Sequence, residues 1–476
     1  MKNNEKVAIS LALAGLFPSL ALATNGMNME GYGAMALGMG GASMAYDNGT
    51  AAMMNNPATM ALMADGSRLD LAFGFLGPDV KSSAGGAASR SSADAFSMPA
   101  FGWIRKTGPW LYGAGIYGQG GMGTEFGSTS MFANPGQQNP SPGLVNRSEV
   151  SMGRVILPLA YQVKPDLSIG GSLDFVWAGM DMQMAMSGND FFRMAGGVSP
   201  VGLATGSMVS AFQGMVGPGA GQLNPANPVN WGYFNFSNDN KYTGQATTNG
   251  YAGKIGVVYK INAKTTLGAT YHSRTWLKDL QADQATIAFN TNFNGMPAAQ
   301  TLPVSGSIKV RNFQWPDTFG VGIAYQASER WLWVADYKRI DWASTMKDVR
   351  MTFDASGNTG GAAAFNGSSM DVTFYQDWRD QHVLMAGASY KAGDKLTLRG
   401  GINVANNPVP DTRLNYLFPA IVKNHATLGA GYVFNKASSL DFAYSHAFQA
   451  TDVSSATGVT TSHEQNNWQL VYSYRY

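Results

Sequence analysis

The chain has 476 residues, a formal net charge of +2 and no cysteine. Charged residues form only 13% of it, about half the usual share for a soluble protein. So small a net charge excludes the basic field that attracts nucleic acid. The lack of cysteine excludes thiolate metal sites, disulfide scaffolds and cysteine nucleophiles.

The N-terminus has the features of a secretory signal peptide. Two lysines precede an apolar stretch at residues 7–16, and residues 21–23 form a small-x-small cleavage site. We predict that residues 1–23 are removed by cleavage near Ala23. A membrane anchor is the alternative, but the apolar stretch is short for one.

The end of the chain alternates between apolar and polar residues with a period of two. Trp468, Leu470, Tyr472, Tyr474 and Tyr476 share one face, and mostly polar residues lie between them. A membrane barrel strand needs this pattern because one face meets hydrocarbon and the other a polar lumen. Similar alternation recurs at residues 69–75, 169–177, 319–325, 396–404 and 440–448.

The connections between strands alternate in length, as in outer-membrane barrels with short periplasmic turns and long external loops. Short polar turns are centred at residues 108, 165, 263, 329, 393 and 437. Long connections lie near residues 77–97, 120–147, 183–245, 290–305, 354–370, 405–421 and 450–463. These connections predict an all-β, antiparallel transmembrane barrel of about 14 strands over residues 67–476. A secreted β-sandwich or propeller is the alternative, but its loops would not sort by length.

Residues 24–66 precede the barrel and do not alternate. They are rich in methionine and glycine, including Gly38, Gly40 and Gly41, and contain Asn56-Pro57-Ala58 near their end. Glycine permits unusual backbone angles, whereas proline fixes its own φ and restrains the residue before it. We predict that this segment folds inside the barrel as a hatch, with Asn56, Pro57 and Ala58 as a rigid element.

In the order of its motifs, the sequence resembles the FadL/OmpP1/TodX family of outer-membrane transporters for hydrophobic compounds. The resemblance depends on residues 31–33, 38–42, 56–58, 311–325, 378–380 and 407–411. It spans the mature chain, although this sequence is richer in methionine than familiar members, so pocket shape and substrate do not transfer.

The resemblance implies a fourteen-stranded barrel with an N-terminal hatch, an external apolar groove and an internal pocket. It also implies an inward kink in the third strand that opens the wall sideways, with Asn56, Pro57 and Ala58 near the opening. The implied function is passive uptake of hydrophobic small molecules, such as long-chain fatty acids or hydrocarbons. A general diffusion porin and a structural outer-membrane barrel are the alternatives, but neither needs a plug.

The connection at residues 183–245 is unusually apolar for an external loop, and apolar surface patches mark binding sites. Methionine adapts to many apolar shapes, which suits a broad class of substrates. The alternative is that these residues only pack the loop onto its neighbours. The predicted substrate-binding residues are Met27, Met29, Tyr32, Phe191, Phe192, Met194, Phe212 and Met215.

Other signals do not favour an enzyme. Residues 113–118 match a dinucleotide-binding fingerprint, but no helix follows them. The five histidines are scattered singly, so we expect no metal site, and we also expect no cofactor and no catalytic residue. We expect the charged residues Asp70, Asp174, Lys254 and Arg399 to face the lumen.

The expected location is the outer membrane of a Gram-negative bacterium, and the expected state is a monomer. The partners that we predict are a hydrophobic small molecule, outer-membrane lipid and lipopolysaccharide. We also predict that the strand ending at Tyr476 is recognised by the barrel-assembly machinery, and that nucleic acid is not a partner.

Overall fold

The computed structural model describes residues 25–211, 229–240, 244–291 and 300–476. The predicted signal peptide lies outside the described residues. One sheet contains all 22 strand segments of the described residues. The segments are β1 Gly66–Ala84, β2 Ala87–Arg90, β3 Phe96–Thr107, β4 Trp110–Phe126, β5 Asn146–Lys164, β6 Leu167–Ser187, β7 Gly202–Thr205, β8 Val229–Phe236, β9 Ala246–Lys260, β10 Thr265–His272, β11 Trp276–Leu277, β12 Leu280–Thr291, β13 Gln300–Arg311, β14 Thr318–Gln326, β15 Trp331–Ile340, β16 Asp348–Ala355, β17 Ser369–Tyr375, β18 Gln381–Lys391, β19 Leu396–Ala405, β20 Asn424–Val433, β21 Ser438–Val453 and β22 Thr460–Arg475.

The helices of the described residues are short. The α-helices are α1 Ala34–Leu37, α2 Gly188–Ala195, α3 Ser207–Ala211 and α4 Trp342–Thr345. The 3₁₀ helices are Gly49–Met53, Pro57–Leu62, Gly360–Phe365 and Asp411–Arg413. In this part of the chain, no helix has the length and apolar character needed to cross a membrane.

A closed circuit of antiparallel pairings forms the wall. It runs through β1, β3, β4, β5, β6, β9, β10, β14, β15, β18, β19, β20, β21 and β22, and β22 pairs with β1. At the seam, Ser67 N–H donates to the carbonyl of Tyr476 at 2.7 Å, and Tyr476 N–H donates to the carbonyl of Ser67 at 3.0 Å. The predicted fold class, an all-β closed antiparallel barrel, is therefore confirmed.

The period of two sorts side chains between the two faces of the wall. On β22, Leu470 and Tyr472 are exposed, whereas Gln469, Val471 and Ser473, which alternate with them, are buried. The outer face thus carries large apolar side chains that suit contact with hydrocarbon, while polar residues point into the lumen. The alternation predicted from the sequence is confirmed on β22.

The short turns lie where the sequence places them, but three long connections are themselves β structure. A second series of antiparallel pairings leaves the circuit at β6. It continues through β8, β12, β13, β16, β17 and β7, in that order. The physical reason is that their alternating apolar residues, such as Phe234, Phe289 and Val372, are buried. The expected loop at residues 183–245 accordingly begins later, since β6 continues to Ser187.

Residues 25–65 precede the first strand of the circuit and are mostly buried. Hydrogen bonds connect them to opposite sides of the wall: Asn56 to β9, Met44 to β15, Gly40 to β20 and Thr50 to β1. The segment is therefore anchored to four separate strands of the circuit.

Closure of the seam generates a prediction about Tyr476. Trp103 Nε1–H donates to its hydroxyl at 3.1 Å, and its ring stacks on Tyr474. We expect Tyr476→Asp to lower the folded fraction in the outer membrane because it places a charge beside the closing strand, whereas Tyr325→Asp, on an exposed tyrosine of β14, lowers it less. Heat-modifiable gel mobility measures the folded fraction, and equal losses in both variants would contradict a special role of the seam.

Candidate functional site

An outer cavity of about 500 Å³ opens between the external loops. It is lined by β6, α2, β17 and loop residues 131–135, 199–201, 412–416 and 456–459. Apolar side chains such as Met184, Met194 and Phe374 form much of its lining. Arg413 at its rim has compensating contacts, because it bonds Asp377 at 2.7 Å and lies over the ring of Tyr375. The outer cavity can therefore hold an apolar molecule.

A lumen cavity of about 30 Å³ lies between the N-terminal segment and the wall. Half of its 14 lining residues are methionines: Met27, Met122, Met180, Met182, Met184, Met346 and Met351. Among these lining residues none is charged, and the polar side chains are those of Gln376 and Asn415. Such a lining gives an adaptable apolar surface.

A third, smaller cavity of about 20 Å³ lies behind α2. Phe191, Met194, Phe289 and Phe374 are among the residues that line it. Ser187 caps α2 by accepting from the N–H of Asp190, and this fixes the helix over the sheet.

The structure separates the predicted substrate-binding residues into two groups. Met27 lines the lumen cavity, and Met194 lines both the outer and the third cavity. Met29 and Tyr32 are buried in the interior. Met27 of the N-terminal segment and Met194 of α2 thus line different cavities.

Phe191 and Phe192 do not form the exposed apolar surface that the sequence suggested. Both are buried, at 4% and 0% exposure, and Phe191 packs on Phe289 of β12. The reason is that α2 turns this face onto the external β strands. Phe212 and Met215 lie outside the described residues.

The third strand of the circuit, β4, bends into the lumen. It pairs with β3 only from Trp110 to Ile116 in the described residues, and its pairing with β5 shifts register between Gly118 and Gly120. Residues 117–124 are all buried, so the alternation of exposure stops at the bend. The wall between β3 and β4 is therefore interrupted beyond Ile116.

The N-terminal segment supplies hydrogen-bond partners to this bend. Gly121 N–H donates to the carbonyl of Met27 at 3.1 Å, and Tyr32 donates to the carbonyl of Gln119 at 2.5 Å. Burial raises the pKa of Tyr32 above its ordinary value, so the phenol is a neutral donor. A side chain at Gly120 would overlap the carbonyl of Met27. The lumen cavity and the bend thus share Met27.

The four charged residues that the sequence placed in the lumen all have ion-pair partners. Asp70 pairs with Arg68 and Arg399 with Asp441, both at 2.8 Å. Asp174 accepts from both Arg154 and Lys254. In the described residues no group of three histidines and carboxylates is arranged to hold a metal ion.

A family model described as outer membrane protein transport protein (OMPP1/FadL/TodX) matches residues 10–474. The chain belongs to this family. The P. putida toluene transporter TodX is 28% identical with a TM-score of 0.80, and the Ralstonia pickettii toluene transporter TbuX is 29% identical with a TM-score of 0.74. Each comparison covers 94% of this chain and 99% of the other.

Curated relatives match over shorter stretches. A 47 kDa outer membrane protein of Pasteurella multocida is 24% identical over 240 residues, which are 48% of this chain and 50% of that protein. The chain spans half or less of the length of the curated relatives that it matches.

In this family member, Asn56-Pro57-Ala58 packs against β6 and β9. Asn56 caps the following 3₁₀ helix by accepting from the N–H of Ala58, and donates to the carbonyl of Val257 at 3.2 Å. A side chain at Gly170 would meet Ala58 N at 2.7 Å. The bend in β4 is contacted by the beginning of the N-terminal segment, near Met27, and by Thr50, which accepts from the hydroxyl of Tyr117 at 2.8 Å.

The three glycines predicted to matter in the segment differ in their roles. Gly40 and Gly41 have φ of +73° and +88°, which favour glycine. Gly38 has φ of −65° and ends α1, so it does not use an unusual backbone angle. A side chain at Gly40 would also overlap the carbonyl of Ile402.

Gly40 therefore offers a test of how the segment is seated. We expect Gly40→Ala to cost about 1–3 kcal/mol locally, because it combines strain with the overlap. Hydrogen exchange of residues 34–50 should then lose about tenfold or more in protection. Gly38→Ala is the matched control and should lose less protection. Equal losses of protection would show that the close contact at Gly40 has no special role.

Proposed function

We propose that the protein takes up uncharged hydrophobic small molecules across the outer membrane. They bind in the outer cavity, pass to the lumen cavity and leave through the wall beside the bend in β4. The observation that supports this most is the lumen cavity, whose lining has seven methionines and no charged residue among those described. The similarity to TodX and TbuX, both named as toluene transporters, supports the same class of substrate.

The strands of the closed circuit form, in this proposal, the fourteen-stranded membrane wall expected from the sequence. Residues 25–65 act as the hatch, because their position across the lumen blocks free diffusion. This favours the transporter over a general diffusion porin, whose lumen would stay wet.

An uncharged substrate fits the lumen cavity better than a carboxylate does. Burying an ionised group without a partner costs far more than burying an apolar one. The two polar side chains of the lining, Gln376 and Asn415, are neutral amides that bring no positive charge to pair with a carboxylate. Hydrocarbons are therefore preferred to fatty acids in this proposal.

Met27 connects occupancy of the lumen cavity with the exit. Its side chain lines the cavity, and its carbonyl accepts from Gly121 at the bend. A substrate in the cavity displaces residues near Met27, and the bend loses a hydrogen-bond partner. Ejection of the whole hatch is unnecessary, because the anchors of Met44, Thr50 and Asn56 stay in place.

Uptake by intact cells tests the substrate class. At limiting concentration, we expect cells that make the protein to take up labelled toluene at least about tenfold faster than cells without it, and benzoate no faster. Met180→Glu should abolish the gain for toluene, because it places a charge in the lumen cavity. Met180→Leu is the matched control and should retain it. Protein-dependent uptake of benzoate equal to that of toluene would contradict the proposal.

The lateral exit is tested at Gly118, where β3 and β4 have separated. A side chain there would meet only the terminal methyl of Met98, so a large one projects into the opening. We expect Gly118→Trp to lower toluene uptake by about tenfold with the barrel folded, whereas Gly118→Ala stays near the parent. Normal uptake with the tryptophan present would show that the substrate leaves elsewhere.

A further inference from the structure

The ring of Phe374 lies where the three cavities meet. Four residues line both the outer and the lumen cavity: Met184, Phe374, Gln376 and Asn415. Of the described residues, Phe374 is the one that also lines the third cavity. These four side chains are therefore the partition that a molecule must pass between the outer and the lumen cavity.

The backbone around Phe374 is held on both sides. Phe374 pairs with Val349 of β16 and with Gly202 of β7. The next two residues are also fixed, because Tyr375 N–H donates to Val201 at 3.1 Å and Gln376 N–H donates to Lys347 at 2.9 Å. Opening of the partition at Phe374 must therefore come from rotation of the side chain.

The third cavity, of about 20 Å³, is smaller than the ring, so rotation into it requires a neighbouring side chain to move. The cross-strand neighbour Gly202 has no side chain, and the third cavity lies beside the ring. Met194, which also lines that cavity, is flexible and can adjust to the ring. The amides of Gln376 and Asn415 have hydrogen-bond partners, so they form the fixed part of the partition.

We propose that the side chain of Phe374 is the gate between the outer and the lumen cavity, and that its size sets which hydrophobic molecules pass. In one rotamer the ring closes the partition. In another rotamer the ring moves into the third cavity, and the outer and the lumen cavity become connected. This inference rests on the proposed uptake of hydrophobic molecules. It adds the residue that determines the rate and size limit of the first transfer.

Cysteine labelling in the lumen cavity tests the gate, since the chain has no cysteine of its own. Met351 lines the lumen cavity and not the outer one. Met351→Cys cells are treated from outside with N-phenylmaleimide, an uncharged hydrophobic probe, and the labelling rate is measured by mass spectrometry. Heat-modifiable gel mobility verifies that each variant is folded.

We expect Phe374→Ala to raise the labelling rate by about fivefold or more, and Phe374→Trp to lower it by about as much. Phe236→Ala is the matched control, because Phe236 is a buried phenylalanine that lines none of the three cavities. It should label like the parent. If Phe374→Ala fails to fold, Phe374→Leu replaces it, with a rise in rate expected again.

The two failures are distinguishable. If the parent is labelled and the Phe374 variants label at the same rate, the gate is wrong while uptake through the lumen stands. If the parent is labelled only after denaturation, hydrophobic molecules do not reach the lumen cavity, and the proposed function falls together with the gate.

Discussion

Closure of the sheet between β1 and β22 is the constraint from which the rest of the structure follows. In hydrocarbon, a backbone N–H or C=O without a partner costs several kcal/mol, so a spanning sheet cannot keep an open edge. The bend in β4 departs from this rule, because residues beyond Ile116 leave β3. Partners are available on both sides, because β5 pairs on one side and, on the other, Met27 accepts from Gly121 and Tyr32 donates to Gln119. The N-terminal segment thus supplies part of the pairing that β3 no longer gives to β4.

Contact with the same segment explains why the wall strands are rich in glycine. At Gly268 and Gly401 a side chain would overlap the backbone of the N-terminal segment, at Met44 and Gly40 respectively. The N-terminal segment therefore approaches the wall backbone directly instead of packing on side chains. Lumen carboxylates reinforce this contact, since Asp336 accepts from the N–H of both Ser43 and Met44. The wall and the N-terminal segment pack as one unit, so only part of the segment can move at a low cost in free energy.

The sequence predicted the wall well because membrane burial imposes a period of two on each strand. It did not predict that the external connections form β structure, since short alternating runs such as β7 and β17 are indistinguishable from apolar loop residues. For the same reason Phe191 and Phe192 of α2 were predicted to form a surface patch, although both are buried. The bend in β4 had a signal, because Gly118, Gly120 and Gly121 surround one glutamine, and such glycines mark close backbone approach. Phe374 had none, because its role depends on contacts between strands far apart in the chain.

The free energies involved are consistent with the proposed coupling between substrate binding and the exit. The polar contacts of the residues near Met27 include Met27 to Gly121, Asn28 to Trp315, Glu30 to Asn467, and Tyr32 to both Gln119 and Asn55. Each such hydrogen bond contributes about 0.5–1.5 kcal/mol net. A molecule with about six apolar carbons gains roughly 5 kcal/mol by leaving water. That gain is enough to offset the loss of two or three of these contacts. It is far below the cost of releasing the rest of the N-terminal segment, where ordering of each residue involves about 1–2 kcal/mol and many contacts would break together. A small hydrophobic ligand can therefore shift the beginning of the segment while its anchored remainder keeps the lumen closed.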